Sequence, residues 1–108
     1  MGHPLHRVEA FTILSDYTLQ LRFEDDTEQV IDFRPLLAGA LYAPLRDLSV
    51  FNQVLIDAES HTLLWPNGAD FDPTILHDWP EHGPAMRELA RRWRRDELLG
   101  HKGATSPE

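Results

Sequence analysis

The chain has no cysteine in its 108 residues. That removes disulfides, thiolate nucleophiles, iron–sulfur clusters and cysteine zinc sites, and it suits a reducing compartment. No apolar run reaches the roughly 18 residues that a membrane span needs. The opening Met1-Gly2-His3-Pro4-Leu5-His6 lacks the basic-then-apolar layout of a signal peptide. The expectation is therefore a soluble cytoplasmic protein. Catalytic grammar is missing as well. Ser15, Ser49, Ser60 and Ser106 stand outside any Gly-x-Ser-x-Gly frame, and no glycine loop is built to cradle phosphate. No enzyme and no cofactor are expected, and the sequence has no repeat or low-complexity segment.

Bases are scarce over most of the chain. Residues 1–80 hold thirteen acids and four bases, whereas 81–108 hold five acids and six bases, for a net charge of −8. An acidic body with a locally basic end disfavours bulk adhesion to nucleic acid. It favours a basic protein partner, or self-association through opposite patches.

The apolar content is ordinary, 42% with five Phe, two Tyr and three Trp, enough for one core at this length. The expected layout is a flexible lead-in over 1–6, a single domain over 7–100, and a disordered tail over 101–108. Residues 7–14 read as a strand, with Val8, Ala10, Thr12 and Leu14 on one face. Residues 17–24 alternate cleanly, Tyr17, Leu19, Leu21 and Phe23 inward against Thr18, Gln20, Arg22 and Glu24, the period-2 mark of a half-buried strand. Asp25-Asp26 turns the chain into a third strand over 27–33, with Ile31 and Phe33 inward. After Pro35, residues 36–39 fit a helical turn ended by glycine. Bends follow near Pro44 and over 49–53. Residues 54–57 and 62–65 then suggest a second hairpin.

The strongest local commitment is Leu64-Trp65-Pro66-Asn67-Gly68-Ala69-Asp70-Phe71-Asp72-Pro73. Pro66 cannot donate to a sheet ladder, so the strand stops. Asn67-Gly68 tolerates positive φ and reverses the chain. Asp72 reads as an N-cap with Pro73 at the first helical position. Asp70 is assigned to the turn's backbone groups, and an EF-hand is excluded because the later ligands are absent. Trp65 and Phe71 should share one core. The helix begun at Pro73 should end by 78 or 79, forced by Pro80. A longer helix over 84–99 follows, with Met86, Leu89, Ala90 and Trp93 inward and Gly100 as its stop.

These residues resemble a family of small bacterial proteins, domain of unknown function 2442. The likeness covers residues 7–79 and rests on Tyr17-Thr-Leu-Gln-Leu-Arg-Phe, on Asp32-Phe33 before Pro-Leu-Leu, and on Trp65-Pro-Asn-Gly-Ala-Asp-Phe-Asp-Pro. Where family members often carry Asp-Gly at the second turn, this chain has Asp25-Asp26. The resemblance implies an α+β domain, and some relatives are similar to the N-terminal half of helix-turn-helix proteins. Others lie beside small toxin-like genes, which implies an antitoxin-like or regulatory partner. No catalytic residue comes with the family.

Two constellations have ordinary surface roles as their plainer reading. The histidines His3, His6, His61, His77, His82 and His101 contain no pair at i, i+4, and zinc spacings are absent. No metal is expected, and His77 simply ends a short helix where the dipole favours an imidazolium. Arg87, Arg91, Arg94 and Arg95 share a helix face and form a candidate interaction surface. That strip fits a solvated or protein-contacting face better than phosphate, with Glu88 pairing to Arg91 or Arg92. The reading is an α+β protein with an antiparallel sheet of about five strands, a meander plus a hairpin. Short helices and one longer C-terminal helix pack on it. Its expected function is a non-catalytic protein-interaction module, with a homodimer as one form of association; the alternative is a nucleic-acid-associated regulator using the arginine face.

Overall fold

A computed structural model describes residues 6–105, with side chains through Leu98. Three strands, β1 (Val8–Ser15), β2 (Thr18–Phe23) and β3 (Glu28–Asp32), form an antiparallel meander in the order β1-β2-β3. The inward set on β2 and β3 is Leu19, Leu21, Phe23 and Ile31, each fully buried, as period-2 alternation demands. β1 is less regular. Its register with β2 shifts between Val8 and Ala10 and again between Ile13 and Ser15, and Ile13 and Leu14 are exposed. At the second turn Asp26 adopts φ +71°, the left-handed conformation a glycine would fill. Tyr17 does the same at the first turn with φ +63°, so it belongs to the turn rather than to the strand.

The expected five-stranded sheet is two sheets. β4 (Leu55–Ile56) and β5 (Leu63–Leu64) pair with each other as a two-stranded hairpin separate from the meander. Two residues per strand give too little ladder to join the meander. The hairpin is tied to it by the Val8 N–H donating to the His61 carbonyl at 2.8 Å. Its turn is organised by Asp57, whose carboxylate accepts from the Ser60 N–H at 2.8 Å.

Between the sheets lie two 3-10 turns, Arg34–Leu36 and Ala43–Arg46, and two one-turn helices, α1 (Gly39–Tyr42) and α2 (Leu48–Phe51). Gly39 opens α1 instead of ending a helix. Its φ of +85°, in the left-handed region that disfavours a Cβ, explains why glycine stands there. Asp47 caps α2 through the Ser49 N–H.

The Trp65 corner closes through backbone bonds: the Gly68 N–H donates to the Trp65 carbonyl, and the Trp65 N–H to the Ala69 carbonyl, both 2.9 Å. α3 (Pro73–His77) follows. α4 (Trp79–Thr105) is longer than expected at both ends. Pro80 begins it rather than forcing a stop, because the Asp78 carbonyl accepts from the Glu81 and His82 N–H groups and a proline in the first turn needs no donor. Pro84 lies inside the helix. The helix also passes Gly100. The helix is described as far as Thr105, and the remainder of the 101–108 tail, like residues 1–5 of the lead-in, lies outside the described residues. α4 lays Gly83, Met86, Ala90 and Trp93 toward the body, whereas Leu89, expected inward, is 37% exposed.

The core is aromatic. Trp65 packs against Phe33, Phe51 and Phe71 with ring centroids 6.0, 5.5 and 5.8 Å away. Tyr42 extends the stack from Phe71 (4.8 Å) to Trp93 (5.7 Å), which fastens α4 to the centre. Trp65→Ala is expected to cost about 3–5 kcal/mol, and Asp72→Ala, which removes only a helix cap, about 1 kcal/mol. Urea midpoints at unchanged slope measure both. A Trp65 loss no greater than the cap loss would disconnect the corner from the core.

Candidate functional site

The sequence motif and the arginine strip occupy separate regions. Trp65 is 2% exposed, while Pro66, Asn67 and Gly68 form the exposed tip of the corner. Asn67 accepts from the Ala69 N–H and donates to the Leu41 carbonyl, pinning the tip to α1. Asp70 is exposed, bridges Leu64 through its backbone, and accepts from the Tyr42 hydroxyl at its carbonyl, 2.7 Å. Asp72 is the N-cap of α3, accepting from the Thr74 N–H at 2.8 Å, and Pro73 is in the first turn. Asn67 and Asp72 thus use their side chains to shape the chain, whereas Asp70 does so through its backbone and not through the expected carboxylate contact with the turn.

On α4, Arg91, Arg94 and Arg95 are exposed. Arg91 is paired with Glu88 at 2.7 Å, leaving Arg94 and Arg95 as the exposed guanidiniums further along the strip. Arg87 is half-buried and sits over Gly83 and Trp79. A different arginine does the tying: Arg46 donates to the Leu37 carbonyl and to Glu97, both at 2.7 Å.

The densest group of titratable side chains lies where α3 meets α4, and no spacing of two histidines announced it. His77 ends α3. Its Nδ1 is 2.7 Å from Asp78 Oδ1 and its Nε2 is 2.7 Å from Asp25 Oδ2, across on the β2–β3 turn. Two carboxylates accept only, so both contacts are satisfied together by the imidazolium. His6 stacks on the ring at 3.7 Å, and Phe23 meets it edge-on at 5.0 Å. Gln29 donates to the His77 carbonyl at 2.7 Å, which fixes the helix end to β3.

Burial pulls the His77 imidazole down, but the bonds to Asp78 and Asp25, with their charges, more than offset it and raise its pKa above 6.5. Asp25 falls from 3.8 to about 2, first through the Thr27 N–H and then through the His77 ring. Asp78 is lowered chiefly by its bond to His77. Two overlapping sets of metal-ligating groups arise here. The ligand atoms of His6, His77 and Asp78 lie within 4.8 Å of one another, and so do those of Asp78, Glu81 and His82. The legible signal was His77-Asp78-x-x-Glu81-His82, a mixed carboxylate–imidazole pattern that a search for paired histidines passes over.

His77 generates a pH prediction. A raised folded pKa means its contribution to stability is complete below 6.5 and is lost as pH climbs through the higher folded value. The depressed Asp25 contributes in full above 3.8, and loses that contribution as pH falls toward about 2. In chelator-containing buffer the thermal midpoint is expected to decline above about pH 6.5. His77→Gln should flatten that alkaline limb and retain an acid limb, since Asp47 and Asp57 are also lowered by turn hydrogen bonds. An unchanged alkaline limb in the variant would contradict the assignment.

Among known proteins, the model of one family matches residues 8–81, and its description is "Protein of unknown function (DUF2442)". No curated protein matches the chain, and no solved structure does. With most of its length matched, the chain belongs to that family.

Proposed function

We propose that this member of the DUF2442 family is a non-catalytic protein-interaction module that receives a basic protein partner, in the manner of an antitoxin or a regulator. The observation that carries the reading is the acidic ridge along the second turn and β3. Glu24, Asp25, Asp26, Glu28 and Asp32 are all exposed there. The neighbouring base on that hairpin, Arg22, is already paired with Glu9 at 3.0 Å. Asp25 is held ionised well below neutral pH. Such a ridge attracts cations over roughly a Debye length, about 8–10 Å, and steers association of a basic partner. Open clefts support the same reading. The largest described, about 380 Å³ between the His6–Arg7 lead and the start of α3, is a half-open surface cleft rather than an enclosed pocket. Among the described residues no helix is long and apolar enough to cross a membrane.

The exposed guanidiniums of Arg91, Arg94 and Arg95 support a second reading, contact with nucleic-acid phosphates. The two readings separate in one experiment. Affinity purification of the tagged chain from its native host at low salt is expected to retain a basic protein, released by raising salt. Glu24→Lys with Glu28→Lys should lose it, and Arg91→Glu with Arg95→Glu should not. Recovery of the chain alone, or as a homodimer by native mass, would overturn the hetero-partner reading. Salt-sensitive duplex retardation abolished by the arginine pair would establish the alternative.

A further inference from the structure

We propose that Asp78, Glu81 and His82 form a binding site for a divalent transition-metal ion of the zinc class, at the junction of α3 and α4. The first turn of α4 builds it. Because the Asp78 carbonyl accepts from the N–H groups of Glu81 (2.9 Å) and His82 (3.1 Å), residues i, i+3 and i+4 are fixed on one side of a helical turn. Their ligand atoms lie within 4.8 Å of one another, so small rotamer changes bring them to a common ion. Two carboxylates neutralise a divalent charge, and the imidazole supplies the nitrogen that favours zinc, cobalt or nickel over calcium or magnesium.

The alternative set, His6, His77 and Asp78, is less suited although its atoms are equally close. Both ring nitrogens of His77 already face carboxylates at 2.7 Å, so His77 would have to give up a bond to ligate. Its place is outside the coordination sphere. The His77 ring holds Asp78 Oδ1 and is itself held by Asp25, an arrangement that orients the metal-binding carboxylate and leaves its other oxygen for the ion. A cleft of about 280 Å³ opens beside Asp78 and Glu81, flanked by Thr27, Gln29 and Pro80. Solvent or a partner's side chain therefore has a route to the fourth position, as at zinc sites with three protein ligands.

The test is calorimetric titration of Zn(II) into the untagged, chelator-treated full chain, with Co(II) absorption as a second readout. One ion per chain is expected, together with a rise in thermal midpoint. His82→Ala and Glu81→Gln should each weaken binding by a hundredfold or about that, and His77→Gln about tenfold through misorientation of Asp78. His6→Ala should change affinity less than about twofold, since it lies outside the ligand set. Circular dichroism checks that the variants stay folded, and Glu81→Gln, on an exposed side chain, keeps the test decisive if His82→Ala does not. Wild-type affinity in both ligand variants, or loss of binding in His6→Ala, would overturn the assignment.

Discussion

A tryptophan can be buried only if its one polar atom is answered, and here the Trp65 Nε1–H donates to the Phe51 carbonyl at 2.9 Å inside the core. That bond joins the corner after β5 to the end of α2. Without it a buried donor would lose its water partner at a cost of about 1–3 kcal/mol. Around it, Phe33 comes from the end of the meander, Phe51 from α2 and Phe71 from the approach to α3, so one indole gathers pieces from three parts of the chain. The buried Thr62 hydroxyl repeats the device, donating to the Phe71 carbonyl at 2.6 Å. Such polar closures let short elements with little ladder of their own stand as one domain.

The same economy runs through the corner. Asn67 and Asp72 spend their side chains on neighbouring N–H groups, and the Asp70 and Leu41 carbonyls are met by Tyr42 and Asn67. Little hydrogen-bonding capacity is left over for a ligand. At the α3–α4 junction the side chains instead bring together charges from distant segments, Asp25 from the β2–β3 turn and His77 and Asp78 from the end of α3.

Much of this was legible. The alternation over β2 gave its buried face, and the Pro-Asn-Gly and Asp-Pro pairs marked the corner and the cap because their meaning is local: a missing donor, a positive φ, a side chain bonding its own backbone. Failures came where a residue type has two local meanings, or where a distant contact decides. Pro80 reads as a terminator along the sequence, but the Asp78 carbonyl reopens a helix around it. Gly39 reads as a stop, yet it opens α1 at φ +85°, a conformation that favours glycine at a helix start as readily as at its end. β4 and β5 were found, but joining them to the larger sheet depended on lengths that propensity does not fix. The Asp25–His77 contact spans 52 positions, so no window of sequence contains it.

The irregular first strand has a consequence for how these molecules behave in a crowded cell. Both flanks of the meander are open in principle to pairing with another copy, which is how sheets grow into aggregates. On one flank the two register slips of β1 break the even spacing of its amides, so a straight neighbouring strand cannot match them. On the other, Glu28 and Asp32 bracket the exposed Val30 with like charge. In a meander of only three strands, irregularity on one side and like charge on the other both oppose edge-to-edge growth.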